Sequence, residues 1–193
     1  MHKANDSNER LLTDTKLAQK KFECYEKIYI GLAEGGKRYL RSQSKLYKER
    51  VTDIQKLILP ALKRNCPTCI NCCKLYTPEL SIYIASSIGC FYFSDYLLVR
   101  CDTILPNPDF GNMVNNLCAY WDEGCILPSD CRSFLCIRYF CDTLKNEVNM
   151  TIIAEHLNVL KTIYDNFSIR KCLGMDTPTQ LRNVDQSCYL PND

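Results

Sequence analysis

Two histidines, His2 and His156, are all that the 193 residues contain. That is too few for a hydrolase whose zinc sits on imidazole ligands. No apolar stretch approaches the roughly 18 residues that a membrane-spanning helix needs. Met1 to Lys20 holds neither an apolar run nor a small-residue cleavage site, so no secretory signal is expected. Glycine is scarce, with seven in the chain, and neither a phosphate-cradling P-loop nor G-x-G-x-x-G is present. Nucleotide-binding folds of those two kinds are excluded. Acid–base chemistry would have to rest on Asp, Glu, Tyr or Lys.

Cysteine, by contrast, is abundant, with 14 residues. Such density arises either from an oxidised disulfide scaffold or from thiolates kept for metal. A chain without an export signal meets the glutathione pool, which keeps thiols reduced. A cytoplasmic location is therefore expected, with metal ahead of disulfides. Hydrophobic residues at 46% and charged residues at 24% match ordinary globular usage.

Charge is uneven along the chain. Residues 1–65 carry 15 Lys/Arg against 8 Asp/Glu, a net of +7, whereas residues 66–193 carry 9 against 14, a net of −5. A basic front half suits an acidic protein partner, an anionic surface or simply the solvated face of helices. Another protein docking on the basic N-terminal helices is the expected partner, and nucleic acid is not expected.

The class expected is mainly α. Residues 1–12 offer almost nothing to bury and are expected to be disordered. Residues 13–64 form a helical extension, with Tyr25, Tyr29, Leu32, Tyr39, Tyr47, Val51, Ile54, Ile58 and Leu62 at spacings of three and four or their multiples. Gly35-Gly36 either turns this stretch into a hairpin or kinks one long helix, whose apolar phase runs on to Leu46 and Tyr47. Pro60 is placed to bend or end its last turn.

The remainder, 65–173, reads as a small, loop-rich cysteine-cluster metal domain. A helix from Thr77, with Pro78 and Glu79 in its first turn, would stop at Gly89. Residues 90–105 are apolar and suit a helix begun at Ser94 or a strand. Residues 106–116 read as a loop. A core-facing helix spans 143–167 with Val148, Ile152, Ile153, His156, Leu157, Leu160, Ile163 and Tyr164 on one stripe. Residues 174–193 form an irregular tail.

Residues 66–73 read Cys-Pro-Thr-Cys-Ile-Asn-Cys-Cys. Two residues between cysteines let a tight turn bring both sulfurs to one ion, at about 2.3 Å for zinc. Four thiolates packed so closely repel one another unless a cation holds them. A second block holds Cys118, Cys125, Cys131, Cys136 and Cys141. Together the blocks suffice for one [4Fe-4S] cluster or one to two tetrahedral zincs.

C-x-x-C-x-x-C-C followed by a second cysteine block resembles the YkgJ-type cysteine-cluster family of zinc- or iron-chelating domains. The first block matches Cys66, Cys69, Cys72 and Cys73, followed by Thr77-Pro78-Glu79-Leu80. The second matches Cys118, Gly124-Cys125, Arg132-Ser133-Phe134-Leu135-Cys136 and Ile137-Arg138-Tyr139-Phe140-Cys141. The resemblance covers residues 66–141 and implies a metal-binding domain whose ligands are Cys66, Cys69, Cys72, Cys73, Cys118, Cys125, Cys136 and Cys141. Ser133 stands where the family usually has proline. Cys131 is an extra thiol that serves as the alternate ligand in a shifted register.

Cys24, Cys90, Cys101, Cys172 and Cys188 lie outside the pattern and are expected as core packing. His156 is expected as a core histidine, and Asp122-Glu123 as a polar turn. Arg132 either neutralises a thiolate-rich centre or salt-bridges at the surface. Three functions follow. The first is an accessory or interaction protein whose iron–sulfur or zinc centre organises the fold. The others are an enzyme or enzyme subunit using an iron–sulfur centre for redox work or protein methyl transfer, as larger members such as flagellin lysine N-methylase suggest, and an electron or metal delivery protein.

Overall fold

The computed structural model describes residues 2–65, 91–115, 117–138, 140–176, 179–180 and 183. The fold is mainly α. Among the described residues the elements are α1 (His2–Gly31), α2 (Glu34–Asn65), α3 (Phe93–Arg100), α4 (Phe110–Val114), a 3-10 turn (Ser129–Cys131), α5 (Phe134–Arg138), α6 (Asp142–Glu147), α7 (Met150–Asn166) and α8 (Ile169–Leu173). The helix expected from Thr77 to Gly89 lies outside the described residues, as does most of the tail.

The break between the two long helices falls at Leu32–Ala33, not at the glycines. Gly35 and Gly36 occupy the first turn of α2 instead. The reason for Gly36 is close approach: a Cβ built there would lie 1.9 Å from the Cys172 carbonyl oxygen. The Cys172 thiol in turn donates to the Gly36 carbonyl at 3.5 Å. Pro60 lies inside α2 without ending it. The helix continues to Asn65, whose side-chain amide donates to the Ala61 carbonyl at 2.9 Å.

α1 and α2 do not behave as an appended extension. α2 buries Gly36, Leu40, Ser44, Tyr47, Val51, Ile54, Gln55, Ile58 and Ala61 on one face. On that face rest α7, the 3-10 turn, α3, α8 and α6. Leu46, one step from Tyr47, is turned about 100° away and is exposed. α1 packs on α4 and α3 instead, and it includes the polar residues from His2 onward. Lys, Glu, Arg and Leu there propagate a helix at little cost once it has nucleated.

Within residues 91–105 the chain forms α3, which buries Phe93, Asp95, Tyr96, Leu97, Leu98 and Val99. A helix buried nearly all round shows no apolar stripe, which is why spacing leaves helix and strand unseparated. Glu26 of α1 ties α3 down. It accepts from Arg100 Nε at 2.6 Å and from the Tyr96 hydroxyl, while the Arg100 guanidinium lies over the Tyr29 ring. From α2, the Ser44 hydroxyl donates to the Leu98 carbonyl at 2.6 Å, and Lys48 Nζ donates to the Cys101 carbonyl at 2.6 Å.

Two further expectations are corrected. The loop at 106–116 contains α4, capped by Asp109, which accepts from the Gly111 N–H at 2.8 Å. The helix at 143–167 is divided into α6 and α7 because Asn149 accepts from the N–H groups of Thr151 and Ile152 and so starts a new helix. α7 buries Ile153 and Leu160, with His156, Leu157, Ile163 and Tyr164 half-buried, while Ile152 is exposed. Gly174, at φ +64°, caps α8 in the left-handed conformation.

One carboxyl is enclosed by these elements. Asp95 accepts from the Phe134 N–H at 3.0 Å and from the Tyr47 hydroxyl at 3.4 Å, joining α3 to α5 and α2. Burial pushes its pKa up to about 6, against the hydrogen bonds that favour its charge. The folded chain thus binds this proton more tightly than the unfolded chain, where the group titrates near 4.

Two outcomes follow. Gly36→Ala must push α8 away from α2 and is expected to destabilise by about 1–3 kcal/mol, the usual range for overpacking, as read by urea denaturation. Gly35→Ala, with open space at its Cβ, is the control and should not. For Asp95 the stabilising contribution is complete below about pH 4 and is lost as pH rises to about 6. The stability difference between wild type and Asp95→Asn should therefore change by about 2 kcal/mol between pH 4 and pH 7. A difference independent of pH would overturn the assignment.

Candidate metal centre

The described half of the cysteine pattern is carried by a turn and a short helix. Cys118 and Cys125 flank the turn. Trp121 and Cys125 form a single antiparallel bridge, the Asp122 N–H donates to the Gly124 carbonyl at 2.8 Å, and the Ile126 N–H donates to the Tyr120 carbonyl at 3.0 Å. Glu123 at φ +48° and Gly124 at φ +156° make the reversal possible. The side chains of Asp122 and Glu123 are exposed, the polar turn that their sequence indicates. α4 holds this turn from outside, with the Asn112 amide donating to the Trp121 carbonyl at 2.6 Å.

α5 places Cys136. Ser133 is buried and caps the helix. Its hydroxyl accepts from the Cys136 N–H at 3.1 Å, and its carbonyl accepts from the Ile137 N–H at 3.1 Å. A serine three residues before the cysteine thus satisfies a donor at the start of the helix, which proline has no hydroxyl to do. The start of α5 is held further by Asp95 and by the stack of Phe134 on Tyr164 of α7, with centroids 5.3 Å apart.

Electrostatics groups the thiols. Burial pushes the Cys125 thiol up to about 11. The Arg132 guanidinium opposes that rise, and the neighbouring Cys136 and Cys118 add to it. Arg132, Cys136 and Cys118 thus each act on the charge of Cys125. Among the described residues, Arg132 Nε is buried without a hydrogen-bond partner.

Cys131 belongs elsewhere. It is fully buried, its Sγ faces the Val99 carbonyl at 3.8 Å, and burial pushes it up to about 11 amid Asp130, Lys48 and Thr103. Cys101 also feels Lys48, and Cys172 feels Cys101. These three buried thiols lie on the α2 side of the core, as expected of packing residues. Cys136 acts on the charge of Cys125, whereas Cys131 has Val99, Asp130 and Lys48 around it. Cys141 is a half-buried free thiol at the residue preceding α6.

Among the described residues, no three His, Cys, Asp or Glu side chains converge to hold one ion. Cys66, Cys69, Cys72 and Cys73 lie outside the described residues, as do Cys90 and Cys188. Cys24 corrects an expectation: it is disulfide-bonded where core packing was expected. A lone cysteine on an amphipathic helix looks alike in sequence whether it packs or bonds, because only proximity of a second sulfur distinguishes the two.

Two polar residues escape sequence reasoning. Asp95 stands inside an apolar segment, where spacing gives no sign that a carboxyl will be enclosed. Tyr47 was legible as core, yet its hydroxyl also donates to the Arg132 carbonyl at 3.1 Å and so anchors the residue next to the thiols. His156 is half-buried on α7. Comparison with protein-family models, curated proteins and solved structures finds no match to this chain.

Proposed function

We propose that this chain is a metal-binding accessory or interaction protein of the cysteine-cluster kind. Its iron–sulfur or zinc centre would be held by Cys66, Cys69, Cys72, Cys73, Cys118, Cys125, Cys136 and Cys141, and would organise the fold. The observation that carries this reading is the company kept by Cys125: two further thiols and a buried arginine Nε without a partner among the described residues. The Cys125 thiol, pushed up by burial, stays protonated at neutral pH, and a bound metal would replace that proton with a stronger interaction. Among the proposed ligands, Cys118, Cys125 and Cys141 carry no disulfide.

The role beyond holding metal is docking. Lys16, Lys20 and Lys27 of α1 and Arg38, Lys45 and Lys63 of α2 face solvent, and an acidic protein surface is the partner that suits them. No described helix is long and apolar enough to cross a membrane. A cytoplasmic setting belongs to the same proposal, with the Cys24 disulfide as an exception among the described cysteines.

Anaerobic purification tests it. Brown protein containing iron and sulfide, or colourless protein with stoichiometric zinc, is the expected result. Cys125→Ser should lose most of the metal, whereas Cys131→Ser should retain it. Chelation should unfold the chain, because structural zinc contributes roughly 10–16 kcal/mol. Metal-free protein with its thiols largely oxidised would overturn the proposal.

A further inference from the structure

A phenol carries one proton, and the Tyr47 hydroxyl faces two acceptors for it. The Arg132 carbonyl lies at 3.1 Å and the Asp95 carboxyl at 3.4 Å. Both contacts are enclosed, since Tyr47 and Asp95 are buried in the core. The two acceptors belong to different segments. Arg132 joins the 3-10 turn to Ser133, which caps α5, whereas Asp95 lies on α3 and also accepts from the Phe134 N–H at 3.0 Å. One hydroxyl on α2 therefore chooses between holding the junction and holding the carboxyl.

Charge decides the choice. A neutral carboxyl can itself donate to the phenol oxygen, which leaves the Tyr47 proton on the Arg132 carbonyl. A carboxylate accepts hydrogen bonds roughly twice as strong as those of neutral acceptors, and burial strengthens them further. The groups that face Asp95 are the Tyr164 phenol from α7, the Tyr47 phenol from α2, on which Cys136 also acts, and the Arg138 guanidinium from α5. Arg138 is exposed and lies over the Phe134 ring at 5.5 Å. Glu26 of α1 is engaged with Tyr96 and Arg100, and Asp130 of the 3-10 turn acts on Cys131.

We infer that Asp95 and Tyr47 form a protonation-dependent latch on the Arg132 junction. While Asp95 is neutral, Tyr47 donates to the Arg132 carbonyl. When Asp95 gives its proton to water, the hydroxyl turns to the carboxylate and the carbonyl loses its partner. Burial holds the enclosed carboxyl up at about 6, whereas in an opened, hydrated junction it returns to about 4. The closed form keeps the proton more tightly, so the latch is shut in acid and loosens as pH rises through about 6. None of this depends on a bound metal.

NMR of the full chain supplies the test, following the Arg132 carbonyl carbon and the Asp95 carboxyl carbon against pH. In wild type the two should titrate together. Asp95→Asn, a permanent neutral mimic, should hold the Arg132 signal at its acid value throughout. Tyr47→Phe should leave Asp95 titrating beside an Arg132 carbonyl that no longer responds. Amide exchange gives a second readout at the Ile137 N–H, which donates to the Ser133 carbonyl. Corrected for the intrinsic rate, its opening should increase about tenfold between pH 5 and pH 7 in wild type and stay level in Asp95→Asn. An Arg132 carbonyl that is still while Asp95 titrates overturns the latch, as does one that still moves in Tyr47→Phe. Should Tyr47→Phe fail to fold, Asp95→Asn carries the test, and an Arg132 signal that titrates there overturns the inference.

Discussion

A helix as long as α2 is held in place by what it can bury, and here it buries one unbroken face from Gly36 to Ala61. Side chains such as Val51, Ile54 and Ile58 each contribute about 1.5–3 kcal/mol by leaving water, and the elements that cover them come from the whole length of the chain. α3, the 3-10 turn, α6, α7 and α8 all rest on this face. Their mutual positions follow from it. At one end the face ends in a glycine, so that α8 meets backbone on backbone. At the other, Arg64 and Asn65 grip Glu147 at the end of α6, through contacts of 2.6 Å and 2.9 Å.

Polar groups then fix the register of what the apolar face gathers. Ser44 and Lys48 hold the end of α3, and Tyr39 uses its hydroxyl at the corner between α7 and α8, donating to the Asn166 carbonyl and accepting from the Ser168 N–H. Asp95 is the most demanding of these groups. Its enclosure raises its pKa, yet it is what aligns the start of α5 with α2. The candidate centre is mounted on that alignment, since Cys136 lies on α5 and Arg132 just before it. A carboxyl that costs stability at neutral pH is retained where it defines geometry, a trade that buried polar groups make elsewhere.

The second cysteine block is sorted by the fold into two environments. The charge of Cys125 is acted on by Arg132, Cys136 and Cys118. Cys131 faces the other side of its own turn, toward Val99 and the α2 surface. Cys131 ends the 3-10 turn and Cys136 lies on α5, so thiols five residues apart sit on different elements. Counting spacings leaves both registers open.

Helical periodicity alone made the long helices, the apolar face of α2 and the core positions of α7 legible, because a 3.6-residue repeat writes burial directly into the order of residues. The cysteine blocks and the tight polar turn at Asp122-Glu123 were legible for a similar reason: their chemistry is local. The rest depended on contacts between segments distant in sequence. That Gly36 serves a close approach and not a bend, that Asp95 is enclosed and that Cys24 is bonded are facts about neighbours brought together by packing. No local pattern encodes them, because each depends on an atom supplied by another part of the chain.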